Sequence, residues 1–131
     1  MMMCLPQIQL VLNHKYPVAM DLVTCMSFQL GTKEGYLVKQ GAFVKNWKQR
    51  WFTLNRYDLK YFKDKMDEEP IRTLDLRACS AVQFDYSQDR VNCFCMVFPE
   101  RTFYLCSKSA VEGDEWIKIL RWKLSQLRKG R

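Results

Sequence analysis

Apolar and polar residues alternate in short segments from Glu34 onward, and this period of two is typical of β-strands. Residues that favour turns, such as Gly41, Pro70 and Pro99, separate the segments. The pattern predicts a mainly β fold, in which about seven antiparallel strands joined by hairpins form a barrel or sandwich. The predicted strand segments are GYLVKQ, WKQRWFTLNR, LKYFKDK, IRTLDLR, CSAVQFDY, CFCMVF and RTFYLCS.

The period lengthens to that of an α-helix near the end of the chain. Residues 109–112, SAVE, form a capping box, in which the serine hydroxyl accepts a backbone N–H and the glutamate reaches back to the cap. Acidic residues near the predicted start and basic residues near the predicted end both suit the helix dipole. We expect a helix from about Ala110 to Arg128 that covers one open end of the barrel. Its apolar stripe consists of Trp116, Ile119, Leu120, Leu124 and Leu127.

The first 30 residues differ from the rest of the chain. They contain one lysine and one aspartate and have neither a clean strand period nor a clean helix period, whereas charged residues become frequent after Gly31. We therefore expect one domain over residues 31–131, preceded by a leader over residues 1–30 that is disordered or is an alternative N-terminus. The alternative is that the leader is a hydrophobic segment that binds a partner.

The bulk composition is that of a globular protein, with 48% hydrophobic and 27% charged residues among 131. No apolar run approaches the roughly 18 to 20 residues that cross a bilayer. The start of the chain does not resemble a secretory signal, so the six cysteines are expected to be reduced thiols. Cys93 and Cys95 could share one face of a strand, but the single histidine, His14, lies far upstream. We expect no metal and no cofactor.

Positive charge is concentrated in one stretch of the chain. Between Lys39 and Lys65 there are eight basic and two acidic residues, a net charge of +6, whereas the whole chain carries a formal net charge of +7. Residues 66–131 contain 11 basic and 10 acidic residues. The excess charge therefore indicates a local site and not a uniformly basic surface.

Strand alternation places several of these cations on the inner face of the predicted barrel. Lys39 ends the first strand, Lys48 and Arg50 begin the second, and Tyr61 lies on the third. Because residues 41–46 join the first two strands, these polar ends must lie together at one mouth. Such a mouth suits a polyphosphate head group, since arginine holds a phosphate with its planar fork, lysine acts as a point charge and tyrosine supplies a directional hydroxyl.

Further residues are expected around this mouth. Lys45 and Lys63 are secondary candidates for phosphate binding. Phe43 and Val44, in the loop between the first two strands, are expected to enter the membrane interface while Lys45 faces anionic lipid. By alternation, Trp47 and Trp51 point to the opposite face, either outside the barrel or under the helix.

Other classes of function fit the sequence less well. The acidic run of residues 67–69 precedes Pro70 in a turn and is interpreted as a solvated loop. The single histidine lies outside the predicted domain. We therefore expect that the protein is not an enzyme. A single-stranded nucleic-acid binder would need cations and aromatic rings along a groove, but the charge here is concentrated near the first three strands. A protein-binding module that uses the sheet edge or the helix remains an alternative.

Four segments of the sequence, GYLVKQG, WKQRWFTL, LKYFKD and EWIKIL with Trp116, resemble the pleckstrin-homology family. The resemblance covers about residues 33 to 129 and implies a seven-stranded barrel capped by one helix. It also implies a membrane-recruitment module that binds phosphatidylinositol 3,4-bisphosphate and 3,4,5-trisphosphate downstream of phosphoinositide 3-kinase. Such a module would belong to a signalling adaptor that moves from the cytoplasm to the plasma membrane.

The same resemblance assigns roles to the residues at the mouth. It implies that Lys39 and Arg50 hold the 3- and 4-phosphates, that Tyr61 hydrogen-bonds a phosphate, and that Lys48 assists. Where glycine would leave more room beside the inositol ring, this chain has Ala42, whose methyl would crowd a 5-phosphate. We therefore hypothesise a bias toward the 3,4-bisphosphate. The expected partners are these lipids and not nucleic acid. Protein partners are not identified from the sequence. The chain is expected to be a monomer.

Overall fold

The computed structural model describes residues 31–129; the predicted leader, with His14, Cys4 and Cys25, lies outside the described residues. Within this range the chain forms seven strands and one long helix, with a short 3-10 turn after the fourth strand. No helix in the described range is long and apolar enough to cross a bilayer. In chain order the elements are β1 (Lys33–Gln40), β2 (Trp47–Asn55), β3 (Asp58–Phe62), β4 (Arg72–Asp75), the 3-10 turn (Leu76–Ala78), β5 (Ala81–Phe84), β6 (Cys93–Val97), β7 (Thr102–Cys106) and α1 (Ala110–Lys129).

All seven strands belong to one antiparallel sheet, in the order β4-β3-β2-β1-β7-β6-β5. The sheet confirms the predicted number and direction of the strands. β1 lies at its centre, paired along its length with β2 and, through Val38 and Lys39, with β7. The register places the β1–β2, β3–β4 and β6–β7 loops at the same end of the sheet, which we call the mouth.

Apolar side chains from every strand pack into one core, so the sheet curves around a single hydrophobic core on its inner face. In β2 the alternation is visible directly, because Phe52 and Leu54 are buried while Thr53 between them is partly exposed. Burying a side chain of this size stabilises the fold by about 1.5 to 3 kcal/mol. The core thus follows from the period-two pattern of the sequence.

Helix α1 packs against this core as expected from its apolar stripe. Four of the five predicted stripe residues are buried, and Leu127 is partly buried against the core. At the start of the helix, the Ser109 Oγ accepts a hydrogen bond from the Glu112 N–H at 3.2 Å, as the capping box predicts. The helix therefore begins at the predicted residue and ends at Lys129, one residue later than predicted.

The helix also covers the free edge of β5. The Arg121 Nε donates to the carbonyl oxygen of Val82 at 2.8 Å, and the Arg128 Nη2 donates to that of Ser80 at 3.4 Å. Unpaired backbone groups on an edge strand are templates for pairing with another chain. One helix arginine therefore bonds a carbonyl group of the edge strand, and the other bonds the residue just before that strand.

One residue of the predicted third strand lies elsewhere. The predicted strand segment LKYFKDK includes Lys63, but β3 ends at Phe62 and Lys63 is exposed in the β3–β4 loop. The reason is that pairing stops there: Tyr61 is opposite Arg72, the first residue of β4, and Phe62 is opposite Trp51 in the last pair with β2. Alternation alone does not show where a strand loses its partners.

The expectation of reduced thiols is wrong for one pair of cysteines. Cys93 at the start of β6 and Cys106 at the end of β7 form a disulfide. The two residues are direct cross-strand partners, so their side chains lie on the same face of the sheet. The sequence places them 13 residues apart, and only the hairpin register shows that they meet. Among the described residues, Cys79 and Cys95 are free and buried, and no group of three or more potential ligands could hold a metal ion.

Candidate anion-binding site at the mouth of the sheet

Strand register brings the predicted site residues to one place. Lys39 on β1 lies opposite Lys48 on β2, and Arg50 follows on the same face of β2. On the next strand, Tyr61 lies opposite Phe52. Since side chains two apart share a face of a strand, all four polar groups extend from the inner face toward the mouth.

Lys39 occupies the centre of the cluster and is unusually buried for a lysine, with 9% of its surface exposed. Its Nζ lies 5.0 Å from the centre of the Tyr61 ring and donates to the carbonyl oxygen of Gln40 at 3.3 Å. Burial, followed by repulsion from four neighbouring cations, lowers the pKa of Lys39 from 10.5 to about 8. Those neighbours, in decreasing order of effect, are Arg101, Arg50, Arg72 and Lys48.

Two of these neighbours, Arg72 and Arg101, were not singled out from the sequence. Arg72 is the first residue of β4, opposite Tyr61. Arg101 precedes β7, and its Nη2 donates to the carbonyl oxygen of Gln40 at 3.3 Å. The guanidinium carbons of both arginines lie over the Phe103 ring, at 5.3 Å for Arg72 and 3.9 Å for Arg101. One aromatic ring is therefore in contact with both cations.

The sequence did contain a signal for these two arginines. Arg72 lies two residues before the buried Leu74, and Arg101 lies two residues before the buried Phe103. Because side chains two apart share a face, each arginine continues the core-facing side of β4 or β7 toward the mouth. The same arrangement, an inner face that changes from apolar to cationic at the mouth, had already identified Arg50. Applying that rule to every strand would have found all three arginines.

The remaining members of the cluster are oriented in different ways. Tyr61 is buried and packs against Phe52 in a tilted arrangement, with ring centres 5.3 Å apart. Arg50 is half-buried, and its Nη1 donates to the carbonyl oxygen of Gln49 at 3.0 Å, while Lys48 is exposed. Burial lowers the pKa of Arg101; Tyr61 opposes this shift and Arg72 adds to it. Cations packed this closely repel one another, so the mouth favours a multiply charged anion.

The β1–β2 loop forms one wall of the mouth. Its ends are held by a hydrogen bond from the Gly41 N–H to the carbonyl oxygen of Asn46 at 2.8 Å. A side chain at position 41 would collide with the backbone of Val44, so the tight closure requires glycine. Between these ends, Phe43 is fully exposed and Val44 is largely exposed. The other two loop residues, Ala42 and Lys45, are also exposed.

The tryptophans of β2 lie on the outside of the sheet, as alternation predicts. Trp51 makes an edge contact with Tyr36, and the Lys65 Nζ lies 5.2 Å from its ring centre. Trp47 lies under the guanidinium of Arg90, at 5.0 Å. Neither ring takes part in the cluster around Lys39.

A groove of about 740 Å³ runs over the outer face of β1, β2 and β3 and has a different chemistry. Its cations, Lys33, Arg56 and Lys60, alternate with the carboxylates of Glu34 and Asp58. Mixed charges of this kind oppose the binding of a phosphate backbone. The concentrated positive charge is therefore at the mouth and not along this groove.

Comparisons with known proteins agree with this fold and layout. A family model described as "PH domain" matches residues 31–125. The chain belongs to the pleckstrin-homology family. Among solved pleckstrin-homology domains, the C-terminal domain of pleckstrin in complex with D-myo-Ins(1,2,3,4,5)P5 is 31% identical, with a TM-score of 0.60 over 70% of this chain and 95% of that one.

Curated relatives include pleckstrin-homology domains of larger proteins. A human protein named dual adapter for phosphotyrosine and 3-phosphotyrosine and 3-phosphoinositide is 78% identical over 100 residues, which cover 76% of this chain and 36% of that protein. The mouse protein of the same name is 77% identical over the same length. A RAC family serine/threonine-protein kinase homolog of Dictyostelium discoideum is 39% identical over 66% of this chain and 20% of its own length. The chain thus spans about a third of the length of each adapter and about a fifth of the length of the kinase homolog.

Proposed function

We propose that this pleckstrin-homology domain is a non-catalytic membrane-recruitment module that binds 3-phosphorylated phosphoinositides. The observation that carries the proposal is the burial of Lys39 among four other cations beside the Tyr61 ring. A buried lysine that is repelled by its neighbours costs stability unless an anion compensates it. The names of two relatives agree with this chemistry, since one binds an inositol pentakisphosphate and the other is called an adapter for 3-phosphoinositide.

Within this proposal each residue has a distinct role. Lys39 and Arg50 hold the 3- and 4-phosphates, Lys48 adds charge at the rim, and the Tyr61 hydroxyl donates to a phosphate oxygen. Arg72 and Arg101, which the register adds to this set, supply two further planar forks. Lys45 and Lys63 are exposed near the rim and would contribute mainly long-range attraction.

The β1–β2 loop provides the second half of the proposed interaction. Phe43 and Val44 would enter the membrane interface while the head group occupies the mouth, and Lys45 would face anionic lipid at about 1 kcal/mol per cation. Such a module would act as part of a cytoplasmic adaptor, downstream of phosphoinositide 3-kinase, and would reach the plasma membrane peripherally. It would act as a monomer, because each domain contains a complete set of cations.

We also propose that Ala42 biases the site toward phosphatidylinositol 3,4-bisphosphate over the 3,4,5-trisphosphate. Ala42 is exposed next to Gly41, the residue that closes the loop. Its methyl would occupy space beside the inositol ring that a 5-phosphate needs. Equal affinity for the two head groups, together with no gain for the trisphosphate on Ala42→Gly, would disprove this preference.

Co-sedimentation with neutral liposomes that contain one phosphoinositide at a time tests the proposal at physiological salt. Wild-type chain is compared with Arg50→Ala and with Arg77→Ala, which also removes one guanidinium but from an exposed side chain in the 3-10 turn beyond β4. We expect selective binding to 3-phosphorylated lipids that Arg50→Ala abolishes and Arg77→Ala preserves. Binding that follows total anionic charge and is equally weak in both variants would contradict the proposal and favour a nucleic-acid or protein partner.

A further inference from the structure

The loop between β5 and β6, residues 85–92, follows a defined path over the outside of the sheet. Gln40 at the end of β1 donates its Nε2 to the Gln88 Oε1 at 3.2 Å. The Arg90 guanidinium lies 5.0 Å from the ring centre of Trp47. Backbone hydrogen bonds hold both ends of the loop: the Asp85 N–H donates to the carbonyl oxygen of Cys93, and the Ser107 N–H donates to that of Asn92. Its outward-facing residues therefore occupy fixed positions.

Tyr86 projects from this loop with 88% of its surface exposed. The other described tyrosines are less accessible. Tyr36 is 40% exposed, but it lies within β1, paired with Trp51, and its ring contacts that of Trp51. Tyr61 is buried in the mouth, and Tyr57 and Tyr104 are half-buried. Tyr86 is thus the one described tyrosine with both a free ring and a backbone outside the strands.

The residues around Tyr86 carry negative charge. Asp85 precedes it and Asp89 follows three residues later. The Ser87 Oγ donates to both carboxylate oxygens of Asp85, at 2.8 and 3.1 Å, which fixes that carboxylate beside the tyrosine. The nearest cation along the chain, Arg90, is directed at the Trp47 ring. An approaching enzyme therefore meets an acidic segment with an accessible phenol at its centre.

We propose that Tyr86 is the phosphate acceptor for a tyrosine kinase whose substrate groove is basic. The Tyr86 oxygen attacks the γ-phosphorus of ATP while its proton passes to the catalytic aspartate of the kinase. The bond from the γ-phosphorus to the bridging oxygen breaks, and ADP leaves. The acidic flanks favour the encounter, because complementary charges across an interface raise the rate of association.

The modification would change the loop through simple electrostatics. A phosphotyrosine carries a charge of about −1.5 to −2 at neutral pH and three strong acceptor oxygens. It repels Asp85 and Asp89 and attracts Arg90, four residues further along the chain. The phosphate therefore competes with the Trp47 ring for that guanidinium.

The test is phosphorylation of the full chain with ATP and a cytoplasmic tyrosine kinase that prefers acidic substrates, followed by peptide mass spectrometry. We expect most of the phosphate on Tyr86, loss of most incorporation in Tyr86→Phe, and wild-type incorporation in Tyr36→Phe. Phosphate on other tyrosines with Tyr86 unmodified, including Tyr16 outside the described residues, would overturn the proposal. Circular dichroism of each variant verifies that the fold is retained.

A second comparison tests the role of charge. Asp85→Asn with Asp89→Asn removes two acids from the loop, and Asp67→Asn with Glu68→Gln removes two from the exposed β3–β4 loop as a matched control. We expect the first pair to slow modification of Tyr86 by about threefold or more and the control pair to leave it unchanged. Equal rates of Tyr86 modification in the two double variants would overturn the proposal that the kinase has a basic substrate groove.

Discussion

The ammonium of Lys39 lies 5.0 Å from the centre of the Tyr61 ring, on the inner face of the sheet and among four other cations. The ring offers a weakly negative face to the cation, but this attraction is worth only about 0.5 to 2 kcal/mol. It does not offset the burial and repulsion that lower the pKa of Lys39 to about 8. The charge of Lys39 is therefore sensitive to whatever occupies the mouth.

Binding of a polyphosphate near pH 8 should be coupled to uptake of a proton. An adjacent anion favours the ammonium form and raises the pKa of Lys39, so a group that is about half protonated when free becomes fully protonated. Near pH 6 the free ammonium is already charged and should take up no proton. Titration calorimetry with a soluble inositol polyphosphate, in buffers that differ in ionisation enthalpy, measures the uptake.

Lys39→Arg is the control for that experiment, because arginine keeps the charge and does not titrate in this range. The variant should bind without uptake of a proton near pH 8. Uptake of the same size in wild type and Lys39→Arg would assign the coupled proton to another group.

Lys39→Met should stabilise the free domain by about 1 kcal/mol near pH 7, because it removes a buried charge that its neighbours repel. The folded pKa lies below the ordinary value, so the unfolded chain binds more protons between pH 8 and 10.5, and wild-type stability rises with pH across that window. The difference between the variant and wild type should therefore shrink as pH rises from 8 to 10.5. Urea denaturation at several pH values measures both effects, and a less stable variant at neutral pH would contradict them.

Arg72 and Arg101 should each contribute to the affinity for a polyphosphate. Arg72→Ala and Arg101→Lys remove one planar fork apiece, and we expect each to weaken binding by about tenfold, or about 1.4 kcal/mol. The substitution at 101 keeps the positive charge, which separates the geometry of the fork from net charge. Calorimetry against the same inositol polyphosphate, with Arg77→Ala as the control, gives the affinities. Unchanged affinity in both variants would limit the site to the first three strands.

Replacing Phe43 with serine should separate membrane insertion from head-group binding. The side chain is fully exposed in the β1–β2 loop and contacts no part of the core. Affinity for vesicles that contain phosphoinositide should fall by about tenfold through the loss of buried apolar area, while affinity for the soluble head group should stay the same. Equal losses in both assays would mean that the loop shapes the site and does not insert.

Arg121→Ala should promote self-association through the edge of β5. The variant leaves the carbonyl oxygen of Val82 without its 2.8 Å hydrogen bond and uncovers part of an edge strand. We expect a slow increase in light scattering at high protein concentration that Arg77→Ala does not share. A variant that stays monomeric under the same conditions would show that the rest of the helix protects the edge.

The elements of this fold were accessible from the sequence because each has a clear local signal. Thr53 between the apolar Phe52 and Leu54 shows the strand period, and Ser109 with Glu112 marks the start of the helix. That Lys39 lies close to Lys48 and Arg50 could also be predicted, since β1 and β2 form one hairpin with a short loop, and such a loop determines which residues face each other.

The features that could not be predicted from the sequence depend on how the strands pair with one another. Arg101 reaches Gln40 only because β7 pairs with β1, and no local pattern encodes that pairing. Cys93 and Cys106 are partners in the β6–β7 hairpin, and no residue pattern within either strand marks them as a bonded pair. The end of β3 before Lys63 depends on where its neighbours stop. These features belong to the assembled sheet and not to any single segment.

The central position of β1 also has a consequence for how the domain emerges from a ribosome. β1 is the first strand of the described sheet to be synthesised, yet one of its two neighbours, β7, is the last. The hairpin of β1 with β2 can form early. The pairing of β1 with β7 must wait until about 65 residues after the end of β1 have been made. During that interval the open side of β1 is available to chaperones, and the cations of the mouth come together only after β7 has been made.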